Sequence, residues 1–213
     1  MKTILILSAG EQERFPEGFP PKQLLCFGGE SLFDRQMRQL KTQPQVPIVV
    51  THHPEFEHCE GDFIGVNPVD HRTILKTLRS SRPEWIERVI VLLGDVHYDD
   101  DLMDDIVESE QPVAFWLSGS EIYALAFNPD RYEEIIRGID RAEVIQPIGP
   151  HRKAPETRVA DRKLWHLYRA LNPKDIHTHH LWNNPMTAQV DGRAFDVDSY
   201  RQYLDIEESR KPA

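Results

Sequence analysis

Arg14 lies four residues after Gly10, and Lys22 follows a loop that carries Pro16, Gly18, Pro20 and Pro21. Ahead of both, residues 4–7 are an unbroken apolar run that stops at Ser8, Ala9 and Gly10. Such a run reads as a buried strand that ends at small residues. Two small side chains and a glycine let a ligand come close to the backbone, and successive free N–H groups there form an anion-binding concavity. One guanidinium and one ammonium beside such a nest suit a polyphosphate. A second run, residues 88–93, ends at Gly94-Asp95. A carboxylate at the C-terminal edge of a parallel sheet stands where ligands bind, and it is a hard oxygen donor of the kind magnesium takes. Plainer readings stand beside these: loop arginines and lysines are commonly just solvated, and Asp95 can serve as a turn or cap residue.

The elements that must position these groups follow a strand–helix alternation. Residues 31–40 place apolar side chains at 32, 33, 37 and 40 behind a serine cap, which predicts a helix. Residues 46–51 read as the next strand, so the connection is a crossover and the sheet parallel. Residues 63–67 predict a short third strand, and a further helix opens at Thr73. The five-residue apolar core of the 88–93 run predicts a central strand covered on both faces. Asp99 to Asp101, with Asp104 and Asp105, read as a capped, solvated helix start. Residues 112–117 and 122–127 predict two strands separated by a polar turn at 118–121. A helix is expected from Asn128-Pro129 to a terminating Gly138. Residues 146–160, proline-rich with His151, Arg152, Lys153 and Arg158, read as a lid or loop, and residues 164–171 as an amphipathic helix. His52, His53, His58 and Cys59 lack a further cysteine nearby, and His177, His179 and His180 lack an acidic partner at fixed spacing. Both groups are read as loops without metal.

At 213 residues the chain suffices for one large domain, 1–213, with room for a small lobe or lid around 145–185. Its 39% hydrophobic and 9% aromatic content suit a globular protein. A formal charge of −10 without a basic block argues against nucleic acid as a partner. Cys26 and Cys59 are too few for a disulfide framework, and a reduced cytoplasmic setting is expected. The first apolar run is too short for a signal peptide and is followed at once by charge, and no stretch approaches membrane-spanning length.

The order of residues in the first motif adds a resemblance. Leu7-Ser8-Ala9-Gly10, then Arg14-Phe15, then Pro21-Lys22-Gln23-Leu24 resembles the N-terminal signature of the nucleotidyltransferases that make nucleotide sugars, with Gln12 where that pattern carries a second glycine. The resemblance implies an α/β fold: a three-layer αβα sandwich, Rossmann-like, with a mostly parallel central sheet. It implies a magnesium-dependent transfer of a nucleoside monophosphate from a nucleoside triphosphate to a sugar phosphate or similar phosphorylated acceptor, with release of pyrophosphate. Carried over residue by residue, Arg14 and Lys22 become the catalytic cations, and Leu7, Ser8, Ala9, Gly10, Glu11, Asn67 and Thr73 the nucleotide contacts. Ser120 and Glu121 become acceptor contacts. Asp95 matches the family's metal-binding aspartate, and Asp198, in Asp196-Val197-Asp198, the second metal-binding acid. A homodimer is compatible with this reading. Two rivals are a glycosyltransferase of related fold that consumes a nucleotide sugar, and a nucleotide-binding relative without turnover, to which Gln12 and the absence of a glycine in residues 67–73 point.

Overall fold

The computed structural model describes residues 1–10, 15–16, 18–27, 29–118, 121–144, 163–172, 186–190, 192–197 and 202–203. The chain begins with β1 (Lys2–Leu7), passes a 3-10 turn (Lys22–Leu24) and a small antiparallel hairpin, β2 (Cys26–Phe27) and β3 (Glu30–Ser31), and enters α1 (Leu32–Leu40). Then come β4 (Ile48–Val50), β5 (Ile64–Val66), α2 (Ile74–Ser80), β6 (Arg88–Leu93), β7 (Val96–Tyr98) and α3 (Asp100–Glu108). A second hairpin, β8 (Val113–Ser118) and β9 (Glu121–Phe127), precedes α4 (Tyr132–Val144), α5 (Leu164–Leu171), β10 (Thr187–Gln189) and β11 (Ala194–Asp196).

Seven strands form the central sheet in the order β10-β8-β9-β6-β1-β4-β5. β1 pairs in parallel with both β4 and β6, β4 with β5, and β8 with β10, so only β9, antiparallel to β6 and β8, runs the other way. From β1 the chain steps outward to β4 and β5, then back across β1 to β6. Right-handed crossovers in opposite senses put α1 and α2 on opposite faces, which makes the three-layer αβα sandwich. Ile4, Leu5, Ile6 and residues 89–92 are fully buried, as strands covered on both faces must be.

Local chemistry explains the helix starts. The Ser31 hydroxyl accepts the Asp34 N–H at 2.9 Å, and the Asp99 carboxylate accepts the Leu102 N–H at 2.8 Å. The helix expected to stop at Gly138 instead continues to Val144 after a 3-10 turn at Pro129–Arg131. Gly138 is an interior residue whose missing side chain admits α5: a methyl group there would fall 2.7 Å from Leu167 Cδ1 and 2.8 Å from Leu171 Cδ2. Of the segment set aside as a lobe or lid, only residues 163–172 are described, and their buried Leu164, Leu167 and Tyr168 belong to the main core. No helix among the described residues is long and apolar enough to cross a membrane.

Tyr98, fully buried, locks the turn after β6 to β9. Its hydroxyl donates to the Tyr123 carbonyl at 2.6 Å and accepts the Leu93 N–H at 3.0 Å, and burial holds the phenol well above its usual pKa. Tyr98→Phe leaves both backbone groups without this partner. We expect a loss of about 1–3 kcal/mol in urea unfolding; an unchanged midpoint would remove this bond from the account of the fold.

Candidate active site

Because β1, β4, β5 and β6 are parallel, their C-terminal ends open on one edge of the sheet, and the start of antiparallel β9 falls on the same edge. That edge gathers Ser8 to Gly10, Thr51 to His53, Asn67, Gly94-Asp95 and Glu121. The small-residue loop is fastened through its backbone. The Ser8 N–H donates to the Val50 carbonyl at 2.9 Å, and the Thr51 hydroxyl to the Ser8 carbonyl at 3.1 Å. His53 lies with Nε2 3.2 Å from the Gly10 carbonyl. Leu7, Ser8 and Ala9 are buried and Gly10 is exposed, and among the described residues outside its chain neighbours no atom lies within 4 Å of where its side chain would begin.

Asp95 follows the end of β6, the strand next to β1. The Gly94 N–H donates to the Leu7 carbonyl at 2.9 Å, which ties the β6 turn directly to the β1 loop. From α1, the buried Gln36 amide donates to the Leu93 carbonyl at 3.0 Å and the Val96 carbonyl at 2.9 Å. On the far side, the Val197 N–H donates to the Asp95 carbonyl at 3.2 Å, an extension of the antiparallel pairing of β11 with β7. The carboxylate of Asp95 pairs with the ammonium of Lys22, the two side chains being 25% and 12% exposed. Lys22 opens the 3-10 turn in which the Leu24 N–H bonds to the Pro21 carbonyl at 2.7 Å. Behind it a small apolar cluster of Leu25, Phe27, Leu32 and Val197, with Phe15, Phe19, Phe195 and Tyr203 against it, joins the 15–32 segment to the C-terminal one. Phe27 and Tyr203 meet edge to face at 5.1 Å.

Other expected contacts are placed differently. Asn67 is exposed at the end of β5. Thr73 is buried: its hydroxyl caps α2 by accepting the Lys76 N–H at 3.2 Å and donates to Glu143 at 3.3 Å. Between them Asp70 is held well below the usual carboxylate range, first by its hydrogen bond from Arg72 and further by Lys76. Glu121 pairs with Lys163 at 3.2 Å. Glu11, Arg14, Ser120 and Asp198 lie outside the described residues; the last two residues before Asp198, however, are described, and Asp196 faces Val96 in the register.

Several groups on this edge escaped the sequence reading. Gln36 and Gln23 are polar yet almost fully buried, and among the described residues their Oε1 atoms have no hydrogen-bond partner. The signal for Gln36 was there, since it lies between Leu32 and Leu40 on the helix face that must be buried. His52 meets His53 at a tilt at 4.1 Å and stacks on His71 at 4.0 Å. The second contact was invisible in sequence, because His71 comes from the loop ahead of α2, well along the chain.

Asp95 is one hard carboxylate at an open edge, and no three histidine, cysteine or acid groups among the described residues converge as a metal cage. That donor set fits magnesium, which takes one or two carboxylates and completes its shell with phosphate oxygens and water.

The fold is that of the nucleotide-diphospho-sugar transferase type of α/β domain. The likeness to solved structures says the same of the fold. A CTP:phosphocholine cytidylyltransferase from Streptococcus pneumoniae superposes with a TM-score of 0.60 at 15% identity, covering 99% of each chain. A putative glucose-1-phosphate thymidylyltransferase from Bacillus anthracis gives 0.61 at 13% identity, over 100% of this chain and 96% of its own. A nucleoside-diphosphate-sugar pyrophosphorylase from Vibrio cholerae gives 0.60 at 13% identity, over 98% and 100%. No curated protein matches by sequence. Residues 4–148, more than half of the chain, match the family described as MobA-like NTP transferase domain, and the protein belongs to that family of nucleotidyltransferases.

Proposed function

We propose that the protein is a magnesium-dependent nucleotidyltransferase that joins the nucleoside monophosphate of a nucleoside triphosphate to a sugar phosphate or similar phosphorylated acceptor and releases pyrophosphate. One observation carries the reading: the small-residue loop ending at Gly10 and the turn that bears Asp95, paired with Lys22, follow the C-terminal ends of the adjacent strands β1 and β6 and are tied to each other by the Gly94–Leu7 hydrogen bond. A phosphate oxygen of the acceptor attacks the α-phosphorus, the bond from that phosphorus to the bridging oxygen breaks, and the electron pair leaves with pyrophosphate. No covalent nucleophile is required, so positioning and charge neutralisation do the catalysis.

In this reading Leu7, Ser8, Ala9, Gly10 and Glu11 cradle the triphosphate, with Asn67 and Thr73 on the side of the base. Lys22 holds the α-phosphate or the acceptor phosphate, and Arg14 neutralises charge that grows on the departing pyrophosphate. Ser120 and Glu121 meet the acceptor. Asp95 and Asp198 would hold magnesium, which when bound supplies charge neutralisation and orientation for the two phosphates. The hydroxyl of Thr73 is already engaged as a helix cap, which leaves Asn67 the more accessible of the two base-side residues. The reaction, if cytoplasmic, draws on the ordinary nucleoside triphosphate pool.

The test is incubation with magnesium and each nucleoside triphosphate against a panel of sugar phosphates and phosphorylated alcohols, with pyrophosphate measured. One productive pair is expected and identifies both substrates. Release of a nucleoside diphosphate from a nucleotide sugar, without pyrophosphate from any pair, would establish a glycosyltransferase instead. Nucleotide binding with no product from any combination would establish a non-catalytic relative.

A further inference from the structure

Asp95 carries a cation in this structure, and it is Lys22. We propose that Lys22 is the resting counter-ion of Asp95, closing the carboxylate to a free divalent metal until a triphosphate arrives to take Lys22 away. The inference rests on Asp95 being the metal-binding acid of the reading above, and it adds an order of events.

Two observations support it. First, the Asp95 backbone is fixed. Its turn is pinned by the Gly94 and Val197 hydrogen bonds and by Gln36 from α1, and Gly94 fits so closely that a methyl group there would fall 2.1 Å from Ser8 Oγ. Lys22 reaches in on a four-carbon stem, so the ammonium is the partner able to swing. Second, the pair is partly enclosed, at 12% and 25% side-chain exposure, where water and salt screen it less than a surface pair. A hydrated magnesium ion must therefore displace a charge already in place, and it sheds its water reluctantly. A triphosphate supplies oxygens for the metal and anionic charge for the released ammonium. Metal and nucleotide then enter together.

Manganese, which electron paramagnetic resonance can count in its free form, tests this without turnover. The nucleotide-free full-length protein is titrated with Mn2+ as wild type, Lys22→Met, Lys22→Gln, Asp95→Asn and the Lys22→Met/Asp95→Asn double variant, with folding checked by circular dichroism. Removal of an ammonium in contact with the carboxylate should tighten Mn2+ binding about tenfold or more in Lys22→Met and in Lys22→Gln. The double variant should bind no more tightly than Asp95→Asn alone. Equal or weaker binding by both Lys22 variants overturns the proposal. So does the same tightening in the Asp95→Asn background, which would mark a general effect of net charge. The reading of Asp95 fails separately, if Asp95→Asn releases pyrophosphate from the productive pair at the wild-type rate.

Discussion

Asp95→Asn should slow pyrophosphate release by a factor on the order of 1,000, with the fold retained. The substitution keeps the shape and the backbone, so the carbonyl that accepts the Val197 N–H and the Gly94 bond to Leu7 are undisturbed. What goes is one negative charge and one strong oxygen donor at the edge where the triphosphate is proposed to lie. Loss of a single preorganised electrostatic contact costs about 100- to 1,000-fold in rate, and loss of a metal's anchoring carboxylate belongs at the upper end. The measurement is the rate of pyrophosphate release with the productive pair, alongside a thermal melt. A wild-type rate in a folded variant would take Asp95 out of the chemistry.

The second large effect comes from a residue with no chemistry of its own. A methyl group on Gly94 would lie 2.1 Å from Ser8 Oγ and 3.2 Å from both the Leu7 carbonyl oxygen and Gln23 Cγ. Ser8 is fully buried and the Leu7 oxygen belongs to the central strand, so neither yields without moving the loop. Gly94→Ala should therefore cost about 1–3 kcal/mol of stability, as overpacking does. Activity should fall further than stability implies, by about 100-fold, because the shift lands on the neighbouring Asp95 and a displacement near 1 Å is enough. Adding Ser8→Ala removes the oxygen at 2.1 Å, so the double variant should melt closer to wild type than Gly94→Ala does. Additive losses in that cycle would show that the clash is absorbed elsewhere.

The features readable from sequence are those that local chemistry decides. The stop of β1 at small residues, the placing of Asp95 at the end of a doubly covered strand, and the Ser31 and Asp99 caps all follow from runs of a few neighbours. The features that escaped depend on partners far along the chain. Gly138 carries the signature of a helix stop, but its use is set by Leu167 and Leu171, which need the space its side chain would fill. β7 and β11 are three residues each, too short to show a period, and they exist because they pair with each other across the chain. Gln36 sits on a face where an apolar residue is expected, because two carbonyls of the Asp95 turn have no strand to satisfy them. The remaining roles rest on the family resemblance alone, and the Thr73 hydroxyl is committed to α2 and Glu143.

The single reversed strand, β9, divides the sheet edge into two kinds of construction. On the β1, β4 and β6 side each loop is the end of a crossover whose helix is packed into a layer, so a change in its length must be absorbed by that helix. On the other side residues 118–121 join two adjacent antiparallel strands, and added residues there cost only the slow logarithmic rise of loop closure. Insertions and deletions can thus reshape what sits over the β8–β9 hairpin while the loop at Gly10 stays as it is.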